Sequence, residues 1–306
     1  MRMRFFLPAL FALALLFIPS SLSAAASSKV AIKVVVSIKP IHSLVAGVMN
    51  GVGEPYLIIK TTGSPHGYNL KPSDARALAG ASVVFWAGPQ LEKFLETPIK
   101  SLANKADIVT LISLRKLTRL IGETHEELGH HEDGENAHIW LDPDNAKVMV
   151  TAIALALVKN DPKHGKLYRA NAITMVKQLD NLSREIVLKV DPVRGKKYMV
   201  FHDAYGYFEN RFGLKSQGFI ALNPDRSPGA KRLKEIRQRV KTKGVTCIFT
   251  EPQFNPKMVH VISEGSDARL SVLDPIGAQL KAGPNLYFEL LRNMASSLSA
   301  CLAGKN

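Results

Sequence analysis

Short runs of apolar, largely β-branched residues alternate along this chain with segments whose apolar residues recur every three or four positions. In the first half the runs extend from Val30 to Ile38 and over residues 56–60, 83–87 and 108–110. Continuous apolar runs of this length are typical of strands buried on both faces of a parallel sheet. Helical segments are predicted between them at 41–49 and 73–79, and this alternation favours βαβ units.

The second half of the chain repeats this organisation. Strand-like runs lie at residues 198–201, 219–222, 247–250 and 271–273, and helix-like segments at 205–212, 229–241, 255–265 and 287–301. The pattern therefore predicts an α/β fold class, with one small α/β unit in each half. Removal of an N-terminal leader would leave about 280 residues, a length close to that of two ordinary domains.

One long segment joins the two halves. It runs from Lys163 to Lys189 and contains neither Gly nor Pro after Gly165. Its apolar residues lie three and four positions apart, at Leu167, Ala170, Ile173, Val176, Leu179, Leu182 and Ile186. This spacing predicts one stiff amphipathic helix, since flexible linkers are rich in Gly, Ser or Pro. We therefore expect an N-terminal lobe at 27–162, a linking helix at 163–189 and a C-terminal lobe at 190–306.

Residues 1–26 have the order of features of a secretory signal peptide. Arg2 and Arg4 precede an apolar run from Phe5 to about Pro19, and small residues follow. The run is shorter than the roughly 18 residues that a membrane span requires, so an uncleaved anchor is the weaker alternative. No cysteine lies near the expected cleavage region, which disfavours a lipid-anchored start. We predict a soluble periplasmic protein that begins near Ala25 to Ser27.

Positive charge exceeds negative charge in this chain. Lys and Arg together number 40 and Asp and Glu 26, an excess of 14. Such an excess raises the question of nucleic acid or an anionic membrane as a partner. The positive residues are dispersed, however, and the densest stretches, 231–243 and 189–197, contain no aromatic residue. We interpret them as solvated faces and predict no nucleic-acid partner.

The chain has two cysteines, Cys247 and Cys301. In an oxidising compartment such a pair is expected to form a disulfide, which would stabilise the fold by roughly 4 kcal/mol on the chain-entropy estimate. Two buried free thiols are the alternative. A two-cysteine zinc site is disfavoured, because neither cysteine has a cysteine or histidine close to it in sequence.

Histidine and acidic residues are concentrated in residues 119–137, a stretch that includes His125, His130 and His131. The stretch lacks a periodic apolar face, and its composition predicts a surface loop. Histidine and carboxylate groups together bind metal. We therefore expect an auxiliary metal-collecting loop, with a solvated loop of no binding role as the alternative.

Four residues stand at the ends of predicted strands or loops, where the loops of an α/β fold converge on its ligand cleft. His66 lies in the loop after the second strand, and His138 follows the acidic stretch. His202 and Asp274 each follow a strand of the second half directly. Imidazole and carboxylate groups are transition-metal ligands. Two such residues from each half predict a metal site between the lobes.

Four long motifs in this chain are distinctive. They read GSPHGYNLKPSD from Gly63, HIWLDPDNA from His138, FHDAYGYFENRFGL from Phe201 and TEPQFNP from Thr250. Together they closely resemble the motifs of periplasmic zinc-uptake solute-binding proteins of ABC transporters, in the cluster A-I metal-binding family that also has manganese-binding members. The likeness extends across essentially the whole mature chain.

The resemblance implies two Rossmann-like lobes with parallel sheets, bridged by a rigid helix, and one metal ion held between them. His66, His138 and His202 occupy the family's positions for three imidazole ligands, and Asp274 matches the place where relatives supply a carboxylate. Some zinc-binding members have a glutamate just before the first histidine, whereas this chain has Pro65. The fourth ligand therefore stays open between Asp274 and water.

Three neutral imidazoles favour zinc over manganese, which prefers more oxygen ligands. We expect one Zn²⁺ per chain as transported ligand, a weaker second ion at the histidine and acidic loop, and delivery by a monomer to an ABC permease in the inner membrane. Manganese or another divalent metal is the alternative cargo. Because imidazole coordinates only when neutral, affinity is expected to fall as the pH drops through the histidine range near 6.5.

A zinc-dependent hydrolase is the rival from another class, because zinc with an open coordination position activates water. The chain has no His-Glu-x-x-His motif and no His-x-His pair. Glu251, the best candidate for a catalytic base, ends a predicted buried strand and is interpreted as structural or partner-facing. A surface adhesin or a zinc buffer without a transporter is a second rival. We expect a binding protein and not an enzyme.

Overall fold

Two parallel sheets form the framework, one in each half of the chain. The computed structural model describes residues 32–122, 134–221, 228–255 and 257–304. Its strands are β1 Val34–Val36, β2 Tyr56–Leu57, β3 Val83–Trp86, β4 Asp107–Thr110, β5 Tyr198–His202, β6 Phe219–Ala221, β7 Cys247–Thr250 and β8 Arg269–Val272. The first sheet has the order β2-β1-β3-β4 and the second the order β6-β5-β7-β8. The carboxyl ends of all strands in a sheet therefore lie at one edge.

Helices connect and cover these strands. They are α1 Lys39–Val48, α2 Pro72–Ala79, α3 Lys93–Leu102, α4 Pro143–Asn160, α5 Gly165–Val190, α6 Gly206–Phe212, α7 Ala230–Lys243, α8 Lys257–Ser263 and α9 Leu286–Ala303. The predicted α/β class with two parallel sheets is confirmed. None of the helices in the described part of the chain is both long enough and apolar enough to cross a membrane. The predicted signal peptide, residues 1–26, lies outside the described residues.

The two inner strands of the first sheet, β1 and β3, are buried on both faces, whereas the edge strand β4 is only partly buried. Val34, Val35 and Val36 in β1 are all at most 3% exposed, and they pair with residues 83–85 of β3 on one side. β2 pairs with β1 on the other side. Continuous apolar strands are therefore the expected consequence of this two-sided cover.

Helix α5 is the predicted long helix, and it begins at Gly165 after a short 3-10 turn at Pro162–His164. One face of it is buried, with Tyr168, Ala172, Met175, Leu179, Leu182, Ile186 and Val190 turned inward. It packs against α4 and α1 from the first half and against α9 from the second. The division of the chain into 27–162, 163–189 and 190–306 stays a prediction.

The apolar spacing does not predict α4, an 18-residue helix. Its residues are apolar almost all round, because α1, α5, β3 and β4 contact it from several sides. A helix-start signal is nevertheless present in the sequence. The side chain of Asp142 accepts a hydrogen bond from the backbone N–H of Asp144, and Pro143 occupies the first helical position.

Cys247 in β7 and Cys301 in α9 form a disulfide, with their Cα atoms 6.2 Å apart. This confirms the predicted pairing and excludes the alternative of two free thiols. The bond lies in the interior, since both residues are at most 5% exposed. It ties the C-terminal helix to the strand whose end carries Glu251.

Candidate metal centre

His66 lies in the long loop between β2 and α2, and a buried carboxylate anchors that loop. Asp74, 1% exposed, accepts hydrogen bonds from the hydroxyls of Tyr56 and Tyr68, both at 2.9 Å. It also accepts one from the backbone N–H of Lys71 at 2.9 Å. The loop that carries the first histidine is therefore fixed at its far end.

His138 is buried, at 6% exposed, directly before the 3-10 turn Ile139–Leu141. Its Nδ1 lies 2.9 Å from Asn136 Oδ1. The Asn136 amide is oriented by its Nδ2, which donates to the backbone carbonyl of Asp203 at 2.9 Å. Since Asn136 Oδ1 can only accept, Nδ1 of His138 carries the proton and Nε2 keeps its lone pair.

His202 is the last residue of β5 and is 5% exposed. Its Nδ1 lies 2.7 Å from Glu251 Oε1, and Glu251 is itself 2% exposed. The carboxylate therefore holds the proton on Nδ1 and leaves the Nε2 lone pair free. A carboxylate behind an imidazole fixes the ring and raises its basicity as a metal ligand.

The three imidazoles converge. One nitrogen from each of His66, His138 and His202 lies within 4.8 Å of the other two, and the Nε2 atoms of His138 and His202 are 3.3 Å apart. Two lone pairs that face each other repel unless a cation lies between them. Two nitrogens bound to one tetrahedral zinc at about 2.0–2.1 Å are separated by about 3.3–3.4 Å. The observed spacing fits a single bound ion.

The environment favours the neutral form of two of these rings, those of His66 and His138. Burial, with a smaller effect from His202, lowers the pKa of His66 to about 4. Burial, followed by His202 and His66, also holds the pKa of His138 well below its usual value. His66 Nε2 is buried and has no hydrogen-bond partner among the described residues. A buried polar atom of this kind indicates a missing partner, and a metal ion supplies one.

Asp274 does not join this group of three. Its Oδ1 accepts hydrogen bonds from Gln253 Nε2 at 2.9 Å and from the N–H of Ile276 at 3.1 Å. Its Oδ2 accepts one from the N–H of Ala278 at 2.6 Å. The structure thus brings three of the four predicted ligands together and places the fourth in the loop beside them.

The auxiliary histidines His125, His130 and His131 lie outside the described residues. The two ends of their stretch pair with each other, through an antiparallel bridge between Ile121 and Glu135. Sequence reasoning does not identify Asn136 or Gln253 as residues of the site. Gln253 lies inside one of the quoted motifs, and Asn136 lies two residues before another. Their position near a candidate ligand is the only signal in the sequence that points to them.

Comparison with known proteins identifies the family of this chain. The chain matches the family described as "Zinc-uptake complex component A periplasmic" (ZnuA) over residues 34–301. The chain belongs to the ZnuA family. The family predicted from the four motifs is therefore confirmed.

Individual relatives of this ZnuA-family chain cover most of its length. It is 45% identical over 305 residues to the high-affinity zinc uptake system protein ZnuA of Brucella suis, in a match that covers 88% of this chain and 91% of the relative. A crystal structure of ZnuA superposes with a TM-score of 0.76 at 24% identity, over 89% of this chain and 99% of that one. The Pseudomonas aeruginosa protein FpvC in complex with Mn²⁺ has a TM-score of 0.80 at 22% identity, over 90% and 99%. At these identities the two structures show the fold alone.

Proposed function

We propose that this protein captures one zinc ion in the periplasm and delivers it to an ABC import permease in the inner membrane. The observation that carries the proposal is the convergence of three imidazoles from both halves of the chain within 4.8 Å. The function named for the Brucella relative, high-affinity zinc uptake, supports the same conclusion. Export by the signal peptide of residues 1–26 and a monomeric state belong to this proposal.

His66, His138 and His202 are the proposed ligands of the ion. Nitrogen donors favour zinc, and manganese is not favoured because it prefers carboxylate, carbonyl and water oxygens. The likeness to FpvC does not bear on this choice, since it concerns the fold. We propose a second, weaker ion for the loop that contains His125, His130 and His131.

A role as a binding protein, not an enzyme, fits the use of Glu251. Its Oε1 is held by His202 at 2.7 Å, so the best candidate for a catalytic base already supports a ligand. Zinc-dependent hydrolysis of ester or phosphoester substrates by the purified protein would contradict this part of the proposal.

Zinc titration calorimetry on residues 27–306 tests the proposal. The expected result is one tight site that is lost in the variant His66→Ala/His138→Ala/His202→Ala. A matched control, His125→Ala/His130→Ala/His131→Ala, removes three histidines from the same protein and should keep the tight site. Tight binding that survives in the first variant and is lost in the control would place the site in the loop and overturn the assignment.

A further inference from the structure

The segment after β7 contributes polar side chains to the lining of the cavity at the imidazole cluster. Glu251 and Gln253 both line the cavity between the three rings, which has a volume of about 10 Å³. Glu251 contacts His202 as described above. Gln253 is a polar side chain at the site with no part yet in the proposed function.

The orientation of the Gln253 amide follows from its partner. Gln253 Nε2 lies 2.9 Å from Asp274 Oδ1, and a carboxylate oxygen only accepts hydrogen bonds. The amide NH₂ must therefore face Asp274. The carbonyl oxygen Oε1 is buried and accepts no hydrogen bond from any residue that the structure describes. A buried carbonyl at the edge of a metal cavity is left in need of a donor.

Asp274 is itself firmly held, so it fixes Gln253 in place. Besides Gln253, its carboxylate binds the backbone N–H groups of Ile276 and Ala278. The loop that it organises is bound to the first half of the chain, because Lys39 Nζ donates to the carbonyl of Ala278 at 2.5 Å and to that of Leu280 at 3.2 Å. A chain of contacts thus runs from Lys39 through the loop and Asp274 to Gln253.

We propose that Gln253 is a specificity-determining residue, whose Oε1 accepts a hydrogen bond from the water that fills the fourth position of the captured ion. Asp274 is then a positioning residue that acts through Gln253. This inference rests on the proposed function, because it requires an ion between the three imidazoles. A neutral amide supplies no anionic oxygen at this position, which disfavours manganese relative to zinc.

Zinc and manganese affinities of five variants test the inference, measured by competition with a chromophoric chelator. Gln253→Leu should weaken zinc binding about 10-fold, the lower end of the usual effect of removing a supporting contact. Gln253→Glu should raise the affinity for Mn²⁺ relative to Zn²⁺ by about 10-fold, because it adds an oxygen anion. Gln238→Leu, on the exposed face of α7, is the matched control and should bind as the wild type does.

The role of Asp274 is tested by the fourth variant, Asp274→Asn, alone and together with Gln253→Leu. If Asp274 acts through Gln253, its substitution should weaken zinc binding in the wild type and add little in the Gln253→Leu background. Full additivity of the two effects would identify Asp274 as a direct ligand and overturn the inference. So would unchanged zinc and manganese affinities in both Gln253 variants.

Zinc-edge X-ray absorption gives an independent readout. The wild type should show three imidazole neighbours and one oxygen neighbour of the ion, without the outer-shell carbon that a carboxylate ligand adds, and Gln253→Leu the same coordination with lower occupancy. A wild type that binds no zinc would contradict the proposed function itself. A wild type that binds zinc tightly through three imidazoles and a carboxylate would keep the proposed function and overturn only the inference.

Discussion

His202 and Asp274 both lie at the carboxyl edge of the second sheet, but they have different roles. Both lie at the carboxyl ends of parallel strands, and both are predicted ligands on that ground. His202 ends β5, an inner strand, whereas Asp274 follows β8 at the outer edge. A strand-end position is therefore not sufficient for a ligand. The carboxylate of Asp274 is instead occupied by Gln253 and by the backbone N–H groups of Ile276 and Ala278.

The strand between them connects the two residues. β7 lies between β5 and β8, and the segment that follows it supplies Glu251 to His202 and Gln253 to Asp274. Two residues of one motif thus hold a ligand on one side and a loop carboxylate on the other. This contrast leads to predictions that differ in size.

The largest effect is expected from His202→Asn compared with Asp274→Asn. The asparagine amide in the first variant keeps a donor for Glu251 but lacks the Nε2 lone pair, so zinc affinity should fall by well over about 100-fold, more than the usual loss from a supporting residue. Asp274→Asn should weaken binding by about 10-fold at most, the effect of a supporting residue. Calorimetry measures the zinc affinity of both variants. Equal losses of affinity would contradict the different roles of the two positions.

A smaller effect is expected from Glu251→Gln. The amide can still accept from His202 Nδ1, but the loss of the negative charge lowers the basicity of the ring, and zinc affinity should fall about 10-fold. Affinity is measured by chelator competition, and thermal unfolding of the metal-free protein serves as the control for folding. An affinity equal to that of the wild type would show that the carboxylate does not support the ligand.

The proton affinity of the His66 ring gives a third prediction, which concerns the metal-free protein. Because burial lowers the pKa of His66 to about 4, this ring should stay neutral and ready to coordinate well below pH 6.5. NMR titration of ring protons in the metal-free protein should give a midpoint near pH 4 for His66. Exposed His260 is a convenient reference signal. A His66 midpoint near 6.5 would contradict a buried, preorganised site.

The same lowered pKa has a consequence for stability. The unfolded chain binds a proton near pH 6.5 while the folded chain does not, so the contribution of His66 to stability is complete above pH 6.5 and is lost as the pH falls towards 4. His66→Asn should reduce this acid sensitivity in urea unfolding measured at pH 7 and pH 5. An unchanged difference between the two pH values would argue against a neutral His66 ring in the folded protein.

The smallest effect on binding is expected for Glu92, which lies directly before α3 in the first half of the chain. Like Asp274, it is a carboxylate that accepts hydrogen bonds from backbone N–H groups. It accepts a hydrogen bond from the backbone N–H of Gly88 at 2.9 Å. Burial raises its pKa to about 7. Since the folded pKa is above the unfolded one, its contribution to stability is complete below about pH 4.5 and is lost as the pH rises through 7.

Glu92→Gln tests this assignment. The unfolding free energy of the variant relative to the wild type should rise between pH 5 and pH 8, while zinc affinity at pH 7 stays the same. A pH-independent difference would contradict a protonated Glu92 in the folded protein, and a change in zinc affinity would connect this loop to the site.

The sequence predicts the α/β framework because buried parallel strands leave continuous apolar runs, as at Val34–Val36. It predicts the three histidines because their motifs resemble those of a known family. It does not predict α4, whose apolar residues face several neighbours at once, nor the pairing of Gln253 with Asp274. That pairing depends on β7 lying beside β8, and strand order is a property of tertiary packing that no local pattern encodes.

Anomalous diffraction at the zinc edge from crystals of the loaded protein tests the central claim most directly. The account predicts one strong peak at about 2.0–2.1 Å from a nitrogen of each of His66, His138 and His202, with the carboxylate of Asp274 still bound to Gln253. A strong peak elsewhere, with no density between the three rings, would contradict it.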